Sequence, residues 1–195
     1  MTTKAALRRS LLAARRSRSP EARRADAAAL AAGLPAVLEG VDDPVCLFVA
    51  VGGEPGGPPV LEAARALGRR VLLPVTVGAA PLDWAPYDGP GSLGPGPHGL
   101  REPTGPRLGP SVLAQAGLVV VPALAVDHRG VRLGRGGGHY DRSLPLAGPH
   151  TRLVALVGDD GLVADDLPDE PHDVRVHAVW RPSSGVTWLS AWRPR

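Results

Sequence analysis

Cysteine, lysine and aromatic residues are scarce in this 195-residue chain, which holds one Cys, one Lys, four Trp, two Tyr and one Phe. The lone Cys46 excludes an intramolecular disulfide and a cysteine-based zinc site. Its place inside the apolar run Val45 to Val51 suits a small buried hydrophobe. Long apolar runs are missing too. None approaches the roughly 20 residues of a membrane helix, and no signal-peptide core follows the start. Residues 1–19 contain no acid and would suit an Arg/Ser-rich transit peptide, yet they show no clear cleavage region. The expectation is a cytoplasmic protein with no membrane partner. With Lys4 the only lysine, nearly all positive charge is arginine, and the net charge is +3. That excess gathers at the N-terminus, so nucleic acid is not expected as a partner.

Hydrophobic residues make up 44% of a length suited to one well-buried domain, taken as residues 1–195 and as a monomer. Glycine (25) and proline (22) approach the level of low-complexity chains, but several apolar runs are long enough for buried strands. Residues 3–18 read as a helix with Leu7, Leu11 and Ala14 on one face. Ser19-Pro20-Glu21 restarts a second helix through an N-cap, a first-turn proline and an early acid. The arginines of both helices form either a solvated face or a polyanion-binding stripe. Val45 to Val51 reads as a strand buried on both faces, followed by a Gly/Pro loop over 52–59 and a helix over Val60 to Leu67 closed by Gly68. Arg70 to Val77, Leu82 to Tyr87, Gly117 to Val121, Arg152 to Val157 and Val174 to Trp180 add strands, predicting an α/β sheet of five to seven with right-handed crossovers. Between Asp88 and Pro110, glycine and proline fill thirteen of twenty-three positions, so no regular structure is predicted there.

One stretch stands apart: Arg132-Leu133-Gly134-Arg135-Gly136-Gly137-Gly138-His139-Tyr140-Asp141-Arg142, which emerges from the end of the apolar run at 117–121. Glycines let backbone N–H groups converge on an oxyanion, while guanidiniums add charge and planar forks that fit phosphate oxygens. Asp141 adds a hard oxygen ligand of the kind Mg²⁺ takes beside a polyphosphate. The spacing is neither a Walker A loop, which ends in Gly-Lys-Ser/Thr, nor a dinucleotide fingerprint, because His139 stands where the third glycine belongs. On composition alone, a glycine-rich turn with solvated arginines is the other reading. Asp127-His128-Arg129-Gly130 reads as a turn closed by glycine rather than as a ligand set. The acids from Asp159 to Asp173 lack EF-hand spacing, and His172 with His177 finds no further ligands at zinc spacing.

Pro122-Ala123-Leu124-Ala125-Val126-Asp127, then Gly130, then Arg-x-Gly-x-Gly-x-Gly-x-Tyr-Asp-Arg over 132–142, resembles the signature of the 5-formyltetrahydrofolate cyclo-ligase family. Lys4-Ala5-Ala6-Leu7-Arg8 is similar to the family's N-terminal Lys-x-x-Leu-Arg element. Glu54 falls where the family keeps a substrate-binding glutamate, and Gly99-Leu100-Arg101-Glu102-Pro103 resembles its Gly-x-x-Glu-Pro element, whose glutamate is read as structural. The resemblance implies a three-layer α/β domain with a mostly parallel central sheet and helices on both faces, similar to the NagB/RpiA/CoA-transferase-like fold. It further implies ATP-dependent closure of 5-formyltetrahydrofolate to 5,10-methenyltetrahydrofolate, with Mg²⁺ as cofactor and a reduced folate as substrate. ATP then falls to Lys4, Arg8, Arg132, Leu133, Gly134, Arg135, Gly136, Gly137, Gly138, His139 and Tyr140. Glu54 and Tyr140 would meet the folate, Asp141 and Asp173 the Mg²⁺, and Arg142 and Tyr140 would act in catalysis. Three departures fall where the family usually has aromatics: His139, Val126 and Gly52-Gly53. Each is expected to remove stacking surface for the pterin, about 1 kcal/mol apiece. An ATP-binding member with a changed substrate, or a nucleotide- or nucleic-acid-binding regulator, is the competing expectation.

Overall fold

In the computed structural model, which describes residues 4–170 and 173–189, the chain opens with helices α1 (Lys4–Ser17) and α2 (Pro20–Val37). The Ser19 hydroxyl accepts a hydrogen bond from Ala22 N at 3.1 Å, and Pro20 opens the first turn, so the cap and the proline mark the break between the helices. There follow β1 (Val45–Cys46), α3 (Pro58–Ala66), β2 (Val71–Val75), β3 (Asp83–Pro86), β4 (Leu93–Pro95), β5 (Arg101–Pro103) and β6 (Leu118–Pro122). The second half contributes β7 (Ala125–Asp127), β8 (Arg132–Leu133), α4 (His139–Ser143), β9 (Arg152–Leu156), β10 (Leu162–Val163), β11 (Ala178–Arg181) and β12 (Gly185–Trp188).

Seven strands form the central sheet in the order β12-β11-β9-β6-β1-β2-β3. The strands from β11 to β2 run parallel, and β12 and β3 are antiparallel edges. Alternate residues of the parallel strands serve two cores. Val45, Leu73, Leu118, Val120, Val154 and Leu156 pack under Leu30 and Leu34 of α2 and Leu61 of α3. Cys46, Leu72, Val119, Val121, Leu153 and Ala155 pack on the opposite face with Leu113 and Leu144. Burial on both faces explains why these strands read as unbroken apolar runs. Each buried leucine contributes roughly 1.5–3 kcal/mol.

Three expectations need correction. The run Val45 to Val51 pairs only at Val45–Cys46, with one further bond from Leu47 N to the Leu72 carbonyl at 2.9 Å. Phe48, Val49 and Val51 leave the ladder to line a cavity. The Gly/Pro segment from Asp88 to Pro110 is not irregular, because β4 and β5 pair antiparallel and Glu102 accepts a hydrogen bond from Thr76 N at 2.8 Å. Glycine permits that approach: a Cβ at Gly94 would stand 2.7 Å from Thr104 Cγ2. Third, the glycine loop does not follow β6 directly, since the β7–β8 hairpin intervenes.

That hairpin belongs to a small sheet, β10-β7-β8, against which Leu7 and Leu11 of α1 pack through Ala125, Val131, Leu133 and Leu167. Its turn is tightly specified, as the sequence indicated. Buried Asp127 accepts hydrogen bonds from Arg129 N, Val131 N and Leu167 N at 2.9–3.0 Å and pairs with the Arg129 guanidinium. Gly130 has φ +82°, and a Cβ there would lie 2.3 Å from the Val176 carbonyl oxygen. The hairpin therefore brings the start of the glycine loop, helix α1 and the segment around residue 173 to the carboxyl end of the main sheet.

Candidate active site

Between the end of β8 and the start of α4 the backbone turns through Gly136 (φ +104°) and Gly138 (φ +69°), a region that side chains with a Cβ rarely adopt. At Gly134 and Gly136 no heavy atom lies within 4 Å of where a Cβ would stand. This bare stretch forms one wall of a cavity of about 410 Å³. Phe48, Thr76 and Pro122 also line it. They sit at or just past the carboxyl ends of β1, β2 and β6, where ligands collect in parallel α/β sheets.

Lys4, Arg8 and Arg15 of α1 reach the cavity from a second side. Arg8 Nε donates to the Gly134 carbonyl at 3.0 Å, so the helix is tied to the loop itself. Arg15 is buried and donates to the Ala123 carbonyl, and burial pushes its pKa down. Glu54 closes a third side. Its side chain is only 6% exposed; Oε2 accepts from Val51 N at 3.0 Å, and Oε1 lies 3.7 Å from Arg135 Nη1. Burial pushes the Glu54 pKa up, opposed by the Val51 N–H and by the charges of Arg135 and Arg15.

Arg132, almost fully buried, ties the fourth side together by donating to the Asp141 carboxylate and to the Val174 carbonyl. Asp173, beside that carbonyl, lines the cavity and accepts from Glu170 N at 2.9 Å. The Tyr140 hydroxyl is buried and has no hydrogen-bond partner among the described residues. Burial, and then the charge of Glu54, push its pKa upward. A buried, unpaired hydroxyl on a cavity wall is a group waiting for a partner.

The structure thus brings to one cavity every residue that the resemblance assigned to ATP, folate and metal: Lys4, Arg8, Glu54, the run from Arg132 to Asp141, and Asp173. Arg142 is the exception. Its guanidinium donates to the Gly137 carbonyl at 3.1 Å and lies 3.3 Å from His139 Nδ1, on the exposed side of the loop, so it braces the glycines and does not face the cavity. Arg135 is half exposed and is drawn toward Glu54.

The supposed aromatic losses divide. Val126 is fully buried in the core and does not reach the cavity, so no stacking surface is lost there. Gly52 and Gly53 have φ +59° and +85°, which the turn into Glu54 requires and an aromatic residue would adopt only under strain. His139 does line the cavity. His172 lies outside the described residues. His177 accepts a hydrogen bond from Leu153 N at 3.1 Å, which is a packing role.

Sequence reasoning missed Arg15 and Phe48. The signal for Arg15 was present: positions 4, 8, 11 and 15 continue a single helical face. For Phe48 there was none, because it lies within an apolar run that reads as strand throughout.

Among the described residues no cluster of three or more His, Cys, Asp or Glu side chains could by itself hold a metal. Mg²⁺ does not need one. It keeps several waters and substrate phosphate oxygens and takes one or two carboxylates from the protein, a demand that Asp141 and Asp173 fit.

The sequence model of the 5-formyltetrahydrofolate cyclo-ligase family matches residues 1–182. The chain is 43% identical over 192 residues to the 5-formyltetrahydrofolate cyclo-ligase of Mycolicibacterium smegmatis, covering 96% of this chain and 97% of that one. It is 30% identical over 146 residues to the enzyme of the same name from Escherichia coli K12, covering 74% and 80%. The NMR structure of 5,10-methenyltetrahydrofolate synthetase from Aquifex aeolicus superposes with a TM-score of 0.79 at 26% identity, over 98% of this chain and 95% of that chain. With the family pattern matched along nearly its whole length and the pattern's residues gathered around one cavity, the chain belongs to the 5-formyltetrahydrofolate cyclo-ligase family and is a ligase.

Proposed function

We propose that the protein closes 5-formyltetrahydrofolate to 5,10-methenyltetrahydrofolate at the expense of ATP, through a phosphorylated formyl group, and that Mg²⁺ accompanies the nucleotide. The observation that carries this reading is the convergence, on one cavity, of a bare glycine loop flanked by arginines, three cations of α1, a buried carboxylate and two further acids. A phosphate site alone would need only the first two.

The N5-formyl group is an amide, and its oxygen is a poor leaving group. Transfer of the γ-phosphoryl group to that oxygen releases ADP and leaves an iminium carbon. N10 attacks that carbon and gives up its proton, the C–O bond breaks, and phosphate leaves with the former formyl oxygen. Such a transfer asks the protein chiefly for alignment and charge stabilisation. The backbone of residues 134–138 with Lys4, Arg8 and Arg132 supplies donors and charge for the phosphates. Glu54 accepts hydrogen bonds from the folate, and the Tyr140 hydroxyl gains the partner it lacks. Asp141 and Asp173 would hold Mg²⁺, which neutralises phosphate charge when bound. His139 and Phe48 offer flat surface for a ring.

Purified protein mixed with ATP, Mg²⁺ and 5-formyltetrahydrofolate is expected to produce methenyltetrahydrofolate absorbance and inorganic phosphate in equal amounts. Phosphate without the methenyl product, or neither signal, refutes the assignment.

A further inference from the structure

An arginine taken out of water is costly unless the fold needs a fixed positive charge. Arg15 is only 8% exposed, lines the cavity from α1, and is anchored by donating to the Ala123 carbonyl just beyond β6. The same cavity is lined by Glu54, whose side chain is only 6% exposed. The ionisable groups facing Glu54 are Arg15 from α1, Arg135 from the glycine loop and Tyr140 from α4, and Asp160 acts on Arg15 in turn. The two cations are not equivalent. Arg135 is 51% exposed and rides on a loop of glycines, whereas Arg15 is held. On the reading above, nucleotide phosphates entering beside the loop compete with Glu54 for Arg135. A buried carboxylate that loses its last countercharge binds a proton more readily, and a carboxylic acid no longer accepts at both oxygens.

We propose that Arg15 is a positioning residue of this active site: a fixed cation that keeps Glu54 a carboxylate, open to the hydrogen-bond donors of the folate, once Arg135 turns toward the nucleotide. This rests on the assignment of ATP and a reduced folate to the cavity. Arg15 touches neither reacting group in this scheme; it acts through Glu54.

The test is kcat/KM for 5-formyltetrahydrofolate against pH, at saturating ATP, in wild type, Arg15→Gln and Arg15→Lys, with the melting temperature of each. Arg15→Gln is expected to move the acid limb upward by about one pH unit, which lowers kcat/KM about tenfold below the limb. Arg15→Lys is expected to bring the limb back. A fall in kcat with the acid limb unmoved in Arg15→Gln overturns the proposal, because a purely structural role has no reason to shift a titration. A second measurement leaves the buried residue untouched. In Arg135→Gln, ¹³C NMR of the Glu54 carboxyl is expected to show it ionised at neutral pH with Arg15 as its remaining cation, and a protonated carboxyl there overturns the proposal. That titration uses no substrate, so it decides the role of Arg15 even if the wild-type protein forms no methenyl product and the assigned reaction fails.

Discussion

Gly134→Ala separates the proposed phosphate cradle from the stability of the fold. Gly134 is not among the glycines with positive φ, and no heavy atom lies within 4 Å of its would-be Cβ. The added methyl therefore meets no clash in the free protein, while it narrows the freedom of the unfolded chain. A Gly→Ala change of that kind stabilises by about 0.4–1 kcal/mol. For a domain of this size the melting temperature should rise by about 1–4 °C. The same empty space opens on the cavity, however, and a methyl there holds a phosphate oxygen away from the backbone N–H groups around it. Hydrogen bonds to charged groups are worth about 1.5–3 kcal/mol, so losing one raises the KM for ATP by about tenfold to a hundredfold. Gly136→Ala serves as the contrast, since its φ of +104° adds strain of about 1–2 kcal/mol and lowers the melting temperature. The assay is initial rate of methenyl formation against ATP concentration, paired with a thermal melt. A Gly134→Ala protein that melts higher and keeps the wild-type KM for ATP would refute the placement of phosphates on this loop.

Asp141→Asn keeps an oxygen for Arg132 to donate to but removes the charge, and Asp173→Asn removes the charge of the second acid proposed for Mg²⁺; each is expected to raise the Mg²⁺ concentration for half-maximal rate by about 10–100-fold, the range found for changes around a bound metal. Unaltered Mg²⁺ titrations in both would remove the metal from this pair. Arg142→Ala is expected to raise the KM for ATP only about fivefold, one hydrogen bond's worth of loop bracing at about 1 kcal/mol. Loss of turnover at saturating ATP would instead put Arg142 at the reacting atoms. Burial holds the His177 pKa below its ordinary 6.5, and its Nδ1 accepts from Leu153 N. The unfolded chain therefore takes up this proton at a higher pH than the folded one, so the neutral ring's contribution is complete above 6.5 and is lost as pH falls through the lowered folded value. Urea midpoints should drop more steeply on acidification in wild type than in His177→Gln; parallel drops would show that His177 is not responsible.

How much of this was legible in the sequence depends on how local the contacts are. The glycine loop could be read directly, because what makes it a cradle is the absence of side chains at consecutive positions. The strands could be read because both their faces are buried, which leaves no polar residue to interrupt them. The β4–β5 hairpin could not. Its anchor is a hydrogen bond from Thr76, in a distant segment, and the glycines that hide its strand pattern are the ones that let Thr104 and Glu102 approach. Val126 misled for a related reason: a family position that is usually aromatic does not say which way its side chain faces, and here it faces the core.

Arg15 shows the limit most sharply. In a chain that uses arginine for nearly every positive charge, composition cannot distinguish a buried cation from a solvated one, and the residues beside it in sequence, Ala14 and Arg16, are exposed. Only helical phase relative to Lys4 and Arg8 separates it, and phase becomes informative once Leu7 and Leu11 are known to pack on the β7–β8 hairpin. That packing sets Lys4 and Arg8 beside the loop and Arg15 beside the buried acid. On the proposed assignment the same helix serves both ligands: its first turns face the phosphates and its last turn faces the folate's carboxylate partner. A change that loosens the helix from the hairpin, such as Leu11→Ala, should therefore weaken ATP and 5-formyltetrahydrofolate together, whereas Gly134→Ala weakens ATP alone. If the two KM values move independently in Leu11→Ala, the helix is not the element that couples the halves of the site.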